Sequence, residues 1–112
     1  MKKFFVLYKA PIEEFQKLMA TMGLEQQKKS MEEWRKWMGE HKGDLTDDGA
    51  PLGKTKCVTK DDVKDMKNDI GGYSIVQAQS HDAAAKLMRD NPHLSIPGAT
   101  IEVMEITQMP GM

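Results

Sequence analysis

The run FFVLY (4–8) is apolar at consecutive positions and rich in aromatic and β-branched side chains, as in a strand covered on both faces. From Pro11 the period changes. Ile12, Phe15, Leu18, Met19 and Met22 recur at helical spacing behind a proline placed where a first turn needs no N–H. Gly23 and Leu24 read as that helix's end, with the glycine in the left-handed position. A second helix is predicted over 25–42, with Met31, Trp34, Met38 and His41 along one stripe and Trp37 beside it. Ser30 and Glu33 form a capping box that offers Met31 as an alternative start, and Gly43 closes the helix.

Between Asp44 and Gly72 the pattern weakens. A strand is expected near 44–47, turns over TDDGAPLG, a short half-exposed strand at KTKCVT and an exposed helical turn over 60–70. Tyr73, Ile75 and Val76 then mark a strand entered through Gly71 and Gly72, and HDAAAKLMRDN reads as a helix with Ala84, Leu87 and Met88 inward. A serine hydroxyl accepts a bond from a free N–H of the first turn, and an aspartate there suits the helix dipole. Ser80 and Asp82 are thereby accounted for as a cap, and His81 is expected at the surface. Asn91 and Pro92 stop the helix. The last strand, ATIEVMEI (99–106), places Ile101 and Val103 on one face and Glu102, Met104 and Ile106 on the other. This order predicts an α+β sheet with helices on one face, in a single domain over 1–108 followed by a tail at 109–112.

A chain of 112 residues with a formal net charge of −1 has no global basic field for a phosphate backbone, so nucleic acid is not an expected partner. The run KDDVKDMKND alternates sign and reads as a solvated face. The single cysteine, Cys57, cannot form an internal disulfide, which fits a reducing, cytoplasmic setting. MKKFFVLYKAP imitates a secretory leader, but its apolar run ends at Tyr8 and meets Lys9, Pro11 and two glutamates. No apolar run approaches the roughly 20 residues of a membrane span, so no membrane partner is expected.

Candidate chemistry is sparse. His41 with Asp44 or Asp48 is the arrangement that offers a base and its orienting carboxylate at a helix end, although a histidine there also suits the dipole. Tyr8, Glu102 and Met104 are the candidate ligand-binding residues, placed to line a hollow between sheet and helices or between paired sheets. His41, His81, His93 and Cys57 show none of the paired spacings of a zinc site, and no phosphate loop or dinucleotide fingerprint is present. No metal or cofactor is therefore expected. Of the ten methionines, Met19, Met22, Met31, Met38 and Met88 are expected in the core.

The elements FFVLY, EEWRKWMGEHKGDLTDDGAPL, GGYSIVQAQSHDAAAKL and IEVMEI resemble, in order and spacing, those of the YCII-related proteins, and of their DGPF subgroup in particular. The subgroup's segment VTDGPFAE, lysine and GGY aligns on Val58 to Tyr73, where the four namesake positions read Lys60, Asp61, Asp62 and Val63. Asp65 and Lys67 stand where relatives carry their acid and lysine. The resemblance implies a ferredoxin-like antiparallel four-stranded sheet and a dimeric α/β barrel. It thus implies a homodimer, which would cover the second face of strands 4–8 and 101–106. For activity it implies a small-molecule ligand with no assigned reaction, or alternatively a small lyase or isomerase with a His/Asp pair. A third alternative is an accessory interaction module linked to transcription regulation. The family's histidine position falls within Met31 to Trp34, where this chain has no histidine.

Overall fold

The structure, a computed structural model, describes residues 1–108; the tail expected at 109–112 lies outside the described residues. Strand β1 (Lys2–Lys9) leads through α1 (Ile12–Thr21) and α2 (Leu24–Glu40) to β2 (Leu45–Pro51). A hairpin of β3 (Thr55–Val58) and β4 (Val63–Met66) follows. Then come β5 (Ile70–Ala78), α3 (His81–Leu87), a 3₁₀ turn at Pro92–Ser95 and β6 (Thr100–Glu105). The main sheet has the order β2-β5-β1-β6, with every neighbouring pair antiparallel. Without the hairpin this is the βαββαβ arrangement of a ferredoxin-like fold, with β1 and β5 at the centre.

Alternation along β1 sorts its continuous apolar run. Phe4, Val6 and Tyr8 face the helices and are buried, while Phe5 and Leu7 face away and are only half-buried. Val76, Ala78, Trp37, Ala84 and Met88 complete the core on the helix side. Trp37 is the one buried residue of α2, and its indole N–H donates to Asp90 Oδ1 at 2.9 Å, tying the helix to the loop after α3. Ser80 caps α3 by accepting from the Ala83 N–H at 3.1 Å. His81 stays exposed, yet its Nε2 donates to the Val103 carbonyl at 2.8 Å and its ring lies on Phe4, fastening α3 to β6.

Several expectations are corrected. Gly23 is extended (φ −76°, ψ 170°) and stands at the N-cap of α2, so it supplies no left-handed helix end; the Met22 N–H closes α1 on the Leu18 carbonyl instead. Helix α2 runs unbroken through Ser30, leaving the capping box unused. The expected turns of TDDGAPLG are mostly strand, with two register shifts and Gly49 at φ +76°. The expected helical turn over 60–70 is instead the second strand of the hairpin. Its turn is closed by the Thr59 N–H on the Asp62 carbonyl at 2.8 Å and by the Val63 N–H on Asp62 Oδ1 at 2.7 Å. The side chains of Thr59 and Asp62 thus supply acceptors within this turn, Thr59 Oγ1 to the Asp62 N–H and Asp62 Oδ1 to the Val63 N–H. Met88 is buried as expected, but Met19 and Met31 are 61% and 56% exposed and are not core.

Candidate functional site

Helix α1 is amphipathic, yet none of its residues is buried. Its apolar side chains, with those of α2, line a hollow of about 920 Å³ over the sheet, walled by Phe15, Leu18, Met22, Trp34 and Met38. That volume is at the upper end of the roughly 300–1,000 Å³ range of small-molecule pockets. The floor is polar at one place. Tyr8 Oη lies 2.9 Å from Ser74 Oγ, and Ser74 Oγ donates to the Asp48 carbonyl at 3.0 Å. Serine has one proton to give, so the phenol must be the donor to Ser74, which leaves the phenol oxygen's lone pairs as acceptors. Burial pushes the Tyr8 phenol above its ordinary pKa, against the opposing pull of nearby Ser74 and Asn91.

His93 borders the same hollow and is buried. Its Nε2 is 2.8 Å from the Lys9 carbonyl, which can only accept, so Nε2 carries a proton and donates, and the position left to act as an acceptor is Nδ1. The rings of Trp34 and His93 both meet Tyr8 edge-on, at 5.3 and 5.5 Å. A second, more open hollow of about 1100 Å³ lies between α1 and the hairpin and shares Phe15, Gly71 and His93 with the first.

The structure separates the residues singled out from the sequence. Tyr8 faces the hollow. Glu102 and Met104 stand opposite Leu7 and Phe5 in the β1–β6 register, on the other side of the sheet. Glu102 there meets Lys9 Nζ at 3.2 Å, and this contact, with Asp69 nearby, raises the Lys9 pKa. His41 Nδ1 lies 3.7 Å from Asp44 Oδ2, and Nε2 lies 3.6 Å from Asp90 Oδ1. This group sits at the C-terminal end of α2, whereas Asp48 lines the hollow and contributes its carbonyl to Ser74. Ser74, Trp34 and His93 were not legible as site residues. Trp34 read as core stripe, and the role of His93 depends on a contact with Lys9, 84 positions away.

Strand order and helix layer together define a ferredoxin-like α+β domain. Among solved structures, the chain is similar to 5-chloro-2-hydroxyhydroquinone dehydrochlorinase from Burkholderia phenoliruptrix AC1100, determined in complex with 2,5-dihydroxybenzoquinone. The two share 16% identity at a TM-score of 0.52, over 89% of this chain and 90% of that one. No protein-family model matches the chain, and no curated protein matches it.

Proposed function

We propose that the protein binds a small, mainly apolar organic molecule, such as a hydroxylated aromatic, in the hollow between its helices and its sheet. The observation that carries this reading is α1, an amphipathic helix without one buried residue whose apolar side chains line an unfilled space. A ligand there completes the core that the helix otherwise lacks, and Tyr8 and His93 offer it lone pairs. The solved neighbour's quinone complex supports the ligand class.

The protein is read as a divergent YCII-related, DGPF-type homodimer of the cytoplasm. The open sheet face supports the dimer. Phe5, Leu7, Tyr73 and Ile75 are half-buried there, Phe5 stacks on Tyr73 at 5.6 Å, and no helix among the described residues covers them. No helix among the described residues is long and apolar enough to cross a membrane. The neighbour's activity favours a second reading, a lyase or isomerase, in which His93 is the base within reach of the hollow.

The test is a thermal-shift and calorimetric screen of hydroxyquinones, phenols and aryl carboxylic acids against the wild type and Trp34→Ala. Saturable one-to-one binding that weakens in the variant is expected. Absence of binding across all three classes overturns the proposal.

A further inference from the structure

We infer that Glu40, His41 and Asp90 form a binding site for a divalent transition-metal ion, separate from the hollow. One ligand atom from each of the three lies within 4.8 Å of the others. His41 Nε2 is wholly enclosed and has no hydrogen-bond partner, an arrangement that costs free energy unless something occupies it. Its distance to Asp90 Oδ1, 3.6 Å, is too long for a hydrogen bond. Two ligands that each sit about 2.0–2.2 Å from one ion are separated by roughly that distance.

The neighbours hold these groups in place. Trp37 donates its indole N–H to Asp90 at 2.9 Å, the main reason the Asp90 pKa is lowered, and its ring packs on His41 at 4.6 Å. Asp44 Oδ2, 3.7 Å from Nδ1, adds negative charge on the far side of the imidazole. Glu40 is exposed and the Asp90 side chain is 66% exposed, so water can fill the remaining coordination positions. One imidazole and two carboxylates suit zinc, cobalt or nickel better than calcium or magnesium, which favour all-oxygen sets. A bound ion joins the end of α2 to the loop after α3.

The experiment is calorimetric titration of the chelator-treated full chain with zinc, together with the visible absorption of added cobalt. One equivalent is expected to bind at micromolar affinity. His41→Gln and Asp90→Asn, each checked for native circular dichroism, are expected to weaken binding by about tenfold or more. Cys57→Ser is expected to leave binding unchanged. Should His41→Gln misfold, the exposed Asp90→Asn alone decides the matter. Failure to bind either metal at hundred-micromolar concentration overturns the inference. Equal affinity in the folded variants, or loss of binding in Cys57→Ser, also overturns it.

Discussion

Leu7→Asp tests whether the open sheet face is a subunit interface. Leu7 lies on that face in a central strand, opposite Tyr73 on one side and Glu102 on the other. In the isolated chain it is already about two-thirds buried or more, so completing its burial is worth about 0.5 kcal/mol, the remaining fraction of what a fully buried leucine gains. Stranding a carboxylate in the same interface costs at least about 1 kcal/mol more. A two-fold interface counts each substitution twice, which brings the loss to about 3 kcal/mol, or roughly a hundredfold in dissociation constant. Within the monomer the new side chain points to water and the helix-side core is untouched. Sedimentation velocity over a concentration series, with circular dichroism as the check on folding, is the assay. A dimeric wild type and a folded monomeric variant are expected. Wild-type protein that sediments as a monomer at high micromolar concentration, or a variant as dimeric as wild type, refutes the reasoning.

Further consequences follow from single residues. Tyr8→Phe bears on pH dependence. The phenol pKa is raised in the folded state, so the folded chain holds its proton longer than the unfolded one, and stability falls as pH rises past the ordinary tyrosine value of about 10. Wild type is expected to lose stability there relative to Tyr8→Phe in urea melts; parallel curves contradict this. Gly49→Ala combines a positive φ with a Cβ placed 1.6 Å from the Tyr73 carbonyl oxygen, so the β2 bulge must break and the melting temperature drop by several degrees. Phe4→Ala empties a fully buried site at about 3–5 kcal/mol by chemical denaturation. Trp37→Phe removes the donor to Asp90, and the Asp90 carboxyl is expected to titrate at higher pH by carbon NMR.

The chain's local chemistry was legible where one residue type has one use. Ser80 caps α3 as its position ahead of Asp82 implies, and Ile101 and Val103 share a face of β6 as alternation requires. The site was not legible, because FFVLY is apolar at every position and offers no period to assign its faces. Only the β1–β6 register shows that Tyr8 and Glu102 point to opposite sides. Within 44–70 the strands near 44–47 and at KTKCVT were legible, but the length of β2 and the strand β4 were not, for a related reason. β4 is wholly exposed, so hydrophobic alternation did not mark it, and the hairpin rests on backbone pairing and the Thr59–Asp62 turn. Spacing rules missed the Glu40–His41–Asp90 group because Asp90 arrives from the far end of the fold, brought there by Trp37.

A crystal structure of the protein grown with the tightest aromatic ligand from the screen tests the central claim most directly. Density for the ligand is expected against Trp34 and Met38, with an oxygen within hydrogen-bonding distance of Tyr8 Oη or His93 Nδ1 and with α1 closed over it. A hollow filled by α1 packing directly on the sheet, or a ligand bound elsewhere, contradicts the account.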